Sequence, residues 1–205
     1  MRYDELSALR PLLEAAGIED DVVELATALG SAPHGPGGLL IVGTPQDEPW
    51  HFTAHLADES RWNDRPDLEP TLVRWNVPAG APAHLAVGLE RLEAARRSET
   101  VFVVAPTQAS EGLLERVADA RRIGALVLSV HGGDPQLHQL AHESVGVPDT
   151  RASYLEIVQH VVSETAPGQS ASRRSLRARV NRLLDTAQGL RGVGGPARGG
   201  SRPRW

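Results

Sequence analysis

Three stretches of the chain are apolar without interruption and end in glycine or a polar turn: residues 38–43 (Gly-Leu-Leu-Ile-Val-Gly), 100–105 (Thr-Val-Phe-Val-Val-Ala) and 125–130 (Ala-Leu-Val-Leu-Ser-Val). Each is short for a helix, and none alternates as a half-exposed strand does. They predict strands covered on both faces, as in a parallel sheet. Between and around them the apolar positions fall at helical spacing. Leu6, Leu9, Leu12 and Leu13 form one stripe, closed by Gly17. A second helix is predicted from Glu19 to about Leu29, with Asp20 and Asp21 suited to its first turn. Leu113, Leu114, Val117 and Ala120 share a face ahead of Gly124, and Leu137, Leu140 and Ala141 follow the turn Gly132-Gly133-Asp134. Strand, helix and strand over 100–130 make a right-handed βαβ unit.

The stretch 50–97 is less regular. Residues 72–75 read as a strand and 85–97 as a helix. After Pro148, Tyr154, Ile157, Val158 and Val161 predict a helix packed on the sheet, and the core is expected to end near Ala166. The expected architecture is a three-layer α/β/α domain with a parallel sheet over residues 1–166. Residues 167–205 are then an arginine-rich extension: a linker over 167–172, a helix over about 173–188 with Leu176, Val180, Leu183 and Leu184 on one stripe, and a Gly/Arg/Pro tail with too little apolar content to pack.

Composition narrows the chemistry. Cysteine is absent, which excludes disulfides, thiolate metal sites and cysteine nucleophiles. All 21 basic residues are arginine, so no lysine is present for a Schiff base, and the cations are forks suited to phosphate and carboxylate. The net charge of −5 hides an asymmetry: nine Arg and one acid lie within 170–205, against 12 Arg and 25 acids in the rest. The N-terminus carries Asp4 and Glu5 and no apolar run approaches the ~20 residues that cross a bilayer, so a cytoplasmic protein is expected.

The order over 100–166 is a buried strand, the loop Ala105-Pro106-Thr107-Gln108-Ala109-Ser110, a helix ending before Gly124-Ala125, a second buried strand, the turn 132–134 and a short helix. This resembles the second half of a sugar isomerase (SIS) domain, the module of phosphosugar isomerases and of regulators that respond to sugar phosphates. The family's loop has the pattern S-x-S-G-x-T, onto which Ala105, Thr107, Gln108 and Ser110 fall in turn. Two of three hydroxyls are present and the glycine is replaced by Gln108. The resemblance implies that a phosphate sits on these hydroxyls and on backbone N–H groups at the helix N-terminus. In place of the glycine- and serine-rich loop that the family has after its first strand, residues 43–48 include Asp47 and Glu48.

Candidate ligand-binding residues are therefore Thr107, Gln108, Ser110 and His131. His131, His138 and His142 are expected to gather near the C-terminal ends of the strands, where open α/β sheets bind ligands. His51 and His55, four apart, are the candidates for a divalent metal, but Phe52 occupies the position that zinc proteases give to their glutamate, and no metal or cofactor is expected. Glu90, Glu93 and Glu99 alternate with Arg91, Arg96 and Arg97 and read as a solvated helix face. Arg173, Arg174, Arg177, Arg179 and Arg182 are candidates for binding nucleic acid or an acidic protein surface.

Taken together, the sequence favours a non-catalytic, homodimeric SIS-like protein that binds a phosphorylated small molecule in a regulatory role. Two alternatives stand beside it: an adaptor whose basic tail binds nucleic acid or an acidic partner, and a phosphosugar isomerase whose base the sequence does not locate.

Overall fold

The computed structural model describes residues 2–32, 35, 37–148 and 152–168. Its helices are α1 (Arg2–Ala16), α2 (Glu19–Ser31), α3 (Trp50–Trp62), α4 (Glu90–Glu93), α5 (Glu111–Ile123), α6 (Pro135–Leu140) and α7 (Ala152–Thr165). The strands are β1 (Leu39–Val42), β2 (Pro70–Val73), β3 (Thr100–Ala105), β4 (Leu126–His131) and β5 (Glu143–Gly146). They form one sheet in the order β2-β1-β3-β4-β5, and every pairing is parallel. Among the described residues no helix is long and apolar enough to cross a membrane.

The three uninterrupted apolar runs are β1, β3 and β4, the central strands, and each feeds two cores at once. Leu39, Ile41, Phe102, Val104, Leu128 and Val130 point to one face, where α2, α3 and α7 cover them with Val22, Leu25, Leu29, Phe52, Leu56, Val158 and Val162. The intervening Leu40, Val42, Val101, Val103 and Val127 point to the other, against Leu92 of α4, Leu113 and Val117 of α5 and Leu137 of α6. A run that must satisfy both faces cannot alternate apolar with polar, which is why it reads as continuous. α5 ends at Gly124 in the left-handed conformation (φ 101°), where its N–H caps the helix, as expected of a C-terminal glycine.

Three local expectations are corrected. The strand expected at 72–75 lies two residues earlier, at Pro70–Val73, because its register is fixed by pairing Leu39↔Pro70 to Val42↔Val73. Most of 85–97 is not helical: a 3-10 turn at Ala83–Leu85 and the single turn of α4 replace the expected helix. Of the acids there, Glu90 and Glu93 are exposed as expected of a solvated face, and Glu99 is not. Glu99 is buried and takes a two-pronged bond from Arg91 (2.7 and 3.1 Å) plus the Arg96 N–H, Glu93 pairs with Arg116 of α5, and Glu90 accepts the Gly88 N–H. The Arg91–Glu99 pair ties this irregular segment to the start of β3.

β5 and α3 complete the architecture. β5, Glu-Ser-Val-Gly, is an edge strand with only Val145 fully buried, too short and polar for its pattern to show. Past α7, Ala166 and Pro167 are still packed, so the compact part extends into the segment expected to be a linker. The reason is Arg65, only 9 % exposed, whose guanidinium donates to Gly30 O at the end of α2, to Pro167 O beyond α7, and to Asp67. Its fork satisfies two carbonyls that a helix end leaves without donors. Arg65→Ala is expected to lower unfolding free energy by about 2–4 kcal/mol, because its charge-assisted bonds to two carbonyls and to Asp67 are lost. Urea denaturation of the variant against the parent measures it, and an unchanged midpoint would contradict the role given to Arg65.

Candidate functional site

In a parallel sheet the chain order reverses where successive crossovers leave on opposite sides, and here that happens between β1, which is followed by β2, and β3, which pairs on β1's other edge. The loops leaving those two strands part, and a crevice opens at their C-terminal ends. A cavity of about 1060 Å³ occupies it. Val104 and Pro106, at the end of β3, line one side. The β1–α3 loop and the first turns of α3 supply Asp47, Glu48, Pro49, Trp50, His51, Phe52 and His55. Leu155, Glu156, Ile157, Gln159, His160 and Ser163 come from α7 and Leu9 from α1. Among the described residues no lining residue is an arginine.

The β1–α3 loop is held tightly. Thr44 and Asp47 exchange backbone hydrogen bonds, Glu48 accepts from Arg74 at 2.8 and 3.1 Å, and Trp75 donates its indole N–H to Gly43 O at 2.7 Å. A Cβ at Gly43 would land on the Asp47 carbonyl oxygen and Pro49, so no larger residue fits there. The acids expected to face a ligand are thus partly spent: Glu48 is neutralised by Arg74, while Asp47 stays exposed at the rim.

Three imidazoles meet in the cavity. His51 Nε2 and His55 Nε2 are 3.2 Å apart, and the His55 and His160 rings meet edge to face at 5.6 Å. His160 Nε2 lies 3.3 Å from Glu164 Oε1, while the other carboxylate oxygen, Oε2, is buried without a partner among the described residues. Two imidazoles on a tetrahedral zinc would stand about 3.3 Å apart, so the His51–His55 pair has the right bite for a metal. It serves equally as a hydrogen bond from one protonated nitrogen to one bare one. Among the described residues no three His, Asp or Glu side chains converge as a metal-holding group.

The β3–α5 loop flanks this cavity through Pro106. Thr107, Gln108 and Ser110 are all exposed, and Ser110 is the N-cap residue of α5 without a side-chain capping bond. Among the described residues the N–H groups of Ser110, Glu111 and Gly112 have no backbone acceptor. The Ala109 N–H, by contrast, donates to Asp134 Oδ2 at 2.7 Å. Asp134 is 2 % exposed, and its Oδ1 caps α6 by accepting from Gln136 N and Leu137 N. One buried carboxylate therefore fixes the loop to the turn after β4.

Of the three histidines expected together, His131 and His138 are neighbours and His142 stands apart. His131 ends β4 and its ring is committed: Nδ1 accepts the Gly133 and Asp134 N–H groups (3.1 and 2.9 Å), leaving the proton on Nε2, 3.0 Å from Ser144 Oγ, which contacts Ser129 Oγ. His138 is exposed, its ring 5.9 Å from that of His131. His142 lies at the opposite edge of the sheet, where its Nδ1 accepts the Val127 N–H at 2.9 Å. A strand rises about 3.3 Å per residue, so Val127 is over 10 Å below His131. Arg173, Arg174, Arg177, Arg179 and Arg182 lie outside the described residues.

Sequence reasoning missed Trp50 and the α7 groups Gln159, His160, Ser163 and Glu164. The only local signal was the spacing of His160 and Glu164, four apart on one helix. Nothing local says that they face His55, about a hundred residues earlier.

A comparison with solved structures bears on the whole arrangement. The sugar isomerase domain of the RpiR transcription factor from Sphaerobacter thermophilus superposes with a TM-score of 0.51 at 12% identity, covering 90% of this chain and 96% of that one. The chain has the sugar isomerase fold. Further structural neighbours of this fold are the Vibrio vulnificus NanR protein complexed with ManNAc-6P (TM-score 0.44, 8% identity, 94% of this chain and 70% of that one) and a protein named as sugar-binding from Salmonella typhimurium LT2 (TM-score 0.45, 19% identity). The match to the Salmonella protein takes in 83% of this chain but spans about half of the other, 51%. No protein-family model matches the chain, and no curated protein matches it in sequence.

Within the sugar isomerase fold, His131 gives a pH signature. Burial, with His138 nearby adding to it and Asp134 opposing, pushes the His131 imidazole below its ordinary value of 6.5. The fold holds the ring neutral, so as pH falls through 6.5 the unfolded chain takes up a proton first. Stability is lost from there downward until the folded ring titrates as well. The urea midpoint should fall between pH 7 and pH 5. His131→Asn, which keeps an acceptor for the two backbone amides, should flatten that slope, and an unaltered slope would show that other groups set it.

Proposed function

We propose that this chain is a regulatory, non-catalytic binder of a phosphorylated sugar. The phosphate lies on the β3–α5 loop and the polyol lies in the cavity between β1 and β3. The observation that carries this reading is continuity: Pro106 belongs both to the loop and to the cavity wall, so one ligand reaches both. Exposed Thr107 and Ser110 hydroxyls, and N–H groups at the start of a 13-residue helix, suit an oxyanion. Asp134 supports the loop from below. The imidazoles and Gln159 offer donors and acceptors for hydroxyls. The RpiR neighbour's name as a sugar isomerase domain agrees with this ligand class, although a fold by itself does not assign one.

Calorimetric titration with hexose and hexosamine phosphates tests the proposal. At least one is expected to bind, with Thr107→Ala/Ser110→Ala weakening it about tenfold, as for the loss of one or two hydrogen bonds to a charged group. Absence of heat with the whole panel, or an indifferent double variant, would overturn it.

An isomerase is the second reading, and His160 supports it. An imidazole held by a buried carboxylate inside a ligand-sized cavity is the arrangement of a general base with its orienting partner. Exchange of a sugar phosphate's C2 proton with deuterated water, abolished by His160→Ala, would favour this reading over a silent binder. The charge asymmetry supports a separate partner role for residues 170–205. Their deletion should remove salt-sensitive retention on DNA or heparin without altering sugar-phosphate binding. The homodimer is a reading of the same rank, and light scattering on the full chain checks it.

A further inference from the structure

Trp50 is the first residue of α3, is 64 % exposed, and lines the cavity. Its position is fixed from both sides. Its N–H donates to Glu48 O at 2.8 Å, Glu48 is held by Arg74, and Pro49 in front of it is buried and accepts from the Thr53 N–H and hydroxyl. Its ring lies 5.4 Å from that of His51. The backbone that carries the indole is therefore held, and the ring is presented to solvent at the mouth of the cavity, where its face is open to a ligand. Trp62, at the other end of the same helix, is equally exposed (65 %) but is not among the residues that line this cavity, so it serves as the internal comparison.

We infer that Trp50 is the stacking wall for a closed sugar ring, so that the cavity selects pyranose phosphates over acyclic polyol phosphates. The inference rests on the sugar-phosphate reading of this site. A pyranose is amphipathic: one face presents C–H groups, and its rim presents hydroxyls. The cavity offers the same pairing, with the indole and Ile157 as apolar surface and His55, Gln159 and His160 as polar groups. Among the described residues its lining carries the acids Asp47, Glu156 and Glu48, the last paired with Arg74, and no guanidinium. A phosphate is therefore disfavoured beside Trp50, and the uncharged ring is what belongs there. An open-chain polyol has the hydroxyls and the phosphate but no flat C–H face, so it gains nothing from the indole.

The test compares glucose 6-phosphate with its reduced, acyclic counterpart, glucitol 6-phosphate, by calorimetry on the full chain and on Trp50→Ala, Trp50→Phe and Trp62→Ala. The fluorine resonances of protein labelled with 5-fluorotryptophan are followed in parallel. Wild type should bind the ring form about tenfold more tightly than the hexitol, the margin expected of an aromatic contact. Trp50→Ala should erase that margin, Trp50→Phe should keep much of it, and Trp62→Ala should keep all of it. The Trp50 resonance, assigned by its loss in Trp50→Phe, should shift with the ring form. Equal binding of the two esters, or a Trp50→Ala variant with wild-type preference, would overturn the inference while leaving the sugar-phosphate site standing. If neither ester binds, the panel member that does bind and its reduced form take their place, and if the whole panel is silent the sugar-phosphate reading falls. Methyl glucopyranoside at millimolar concentration then decides for Trp50 alone: a shift of its resonance upholds the stacking wall, and silence removes it.

Discussion

The side-by-side, same-direction pairing of β1, β3 and β4 is the constraint on which the rest depends. Each of these strands buries both faces, so the sheet must be sandwiched between helices, and each connection must cross over a face to return to the same edge. With β1 followed outward by β2 and inward by β3, the crossovers diverge at one place only along this strand order. The cavity, the loop before α5 and the start of α3 all stand at that place. Their convergence is a consequence of topology and needs no conserved motif to bring it about.

What the fold places there is chemically mixed. The β3–α5 loop is open to an anion, with exposed hydroxyls and helix-start amides, and is braced by a buried carboxylate, Asp134. The neighbouring cavity is lined by histidines and acids, and its walls are apolar where α7 and α3 face each other. Such a division suits a ligand with a charged end and a neutral, hydroxyl-rich body. Arg65 and the Arg91–Glu99 pair act elsewhere, tying down irregular segments whose backbone groups the sheet cannot satisfy. Among the described residues Arg65, Arg74, Arg91 and Arg121 thus serve carbonyls and carboxylates of the fold, and the described cavity is lined by imidazoles and acids.

The histidines show how far spacing misleads. His138 and His142 are four apart, like His51 and His55, yet α6 ends at Leu140, so the first pair never shares a helix face. His142 then turns to the lower edge of the sheet to serve the Val127 amide. His51 and His55 do lie within one helix, and their nitrogens meet. His131 stands where a ligand group would, at the end of a strand, but two backbone amides and Ser144 occupy its nitrogens.

The order of the central elements was legible in the chain because burial on both faces leaves an unmistakable record: unbroken apolar runs such as 100–105, with glycine or a polar turn on either side. The glycine stop at Gly124 and the Asp134 turn were equally local, since a left-handed residue and a helix cap each depend on a few neighbours. The edge strand β5, the irregular path through 85–97 and the union of His55 with His160 left no such record. Each depends on groups far away in the chain: a partner strand that supplies the register, carboxylates that meet arginines across the fold, and two helices packed on one sheet face. Periodicity reports which side of an element is buried, and only the packed structure decides what lies opposite it.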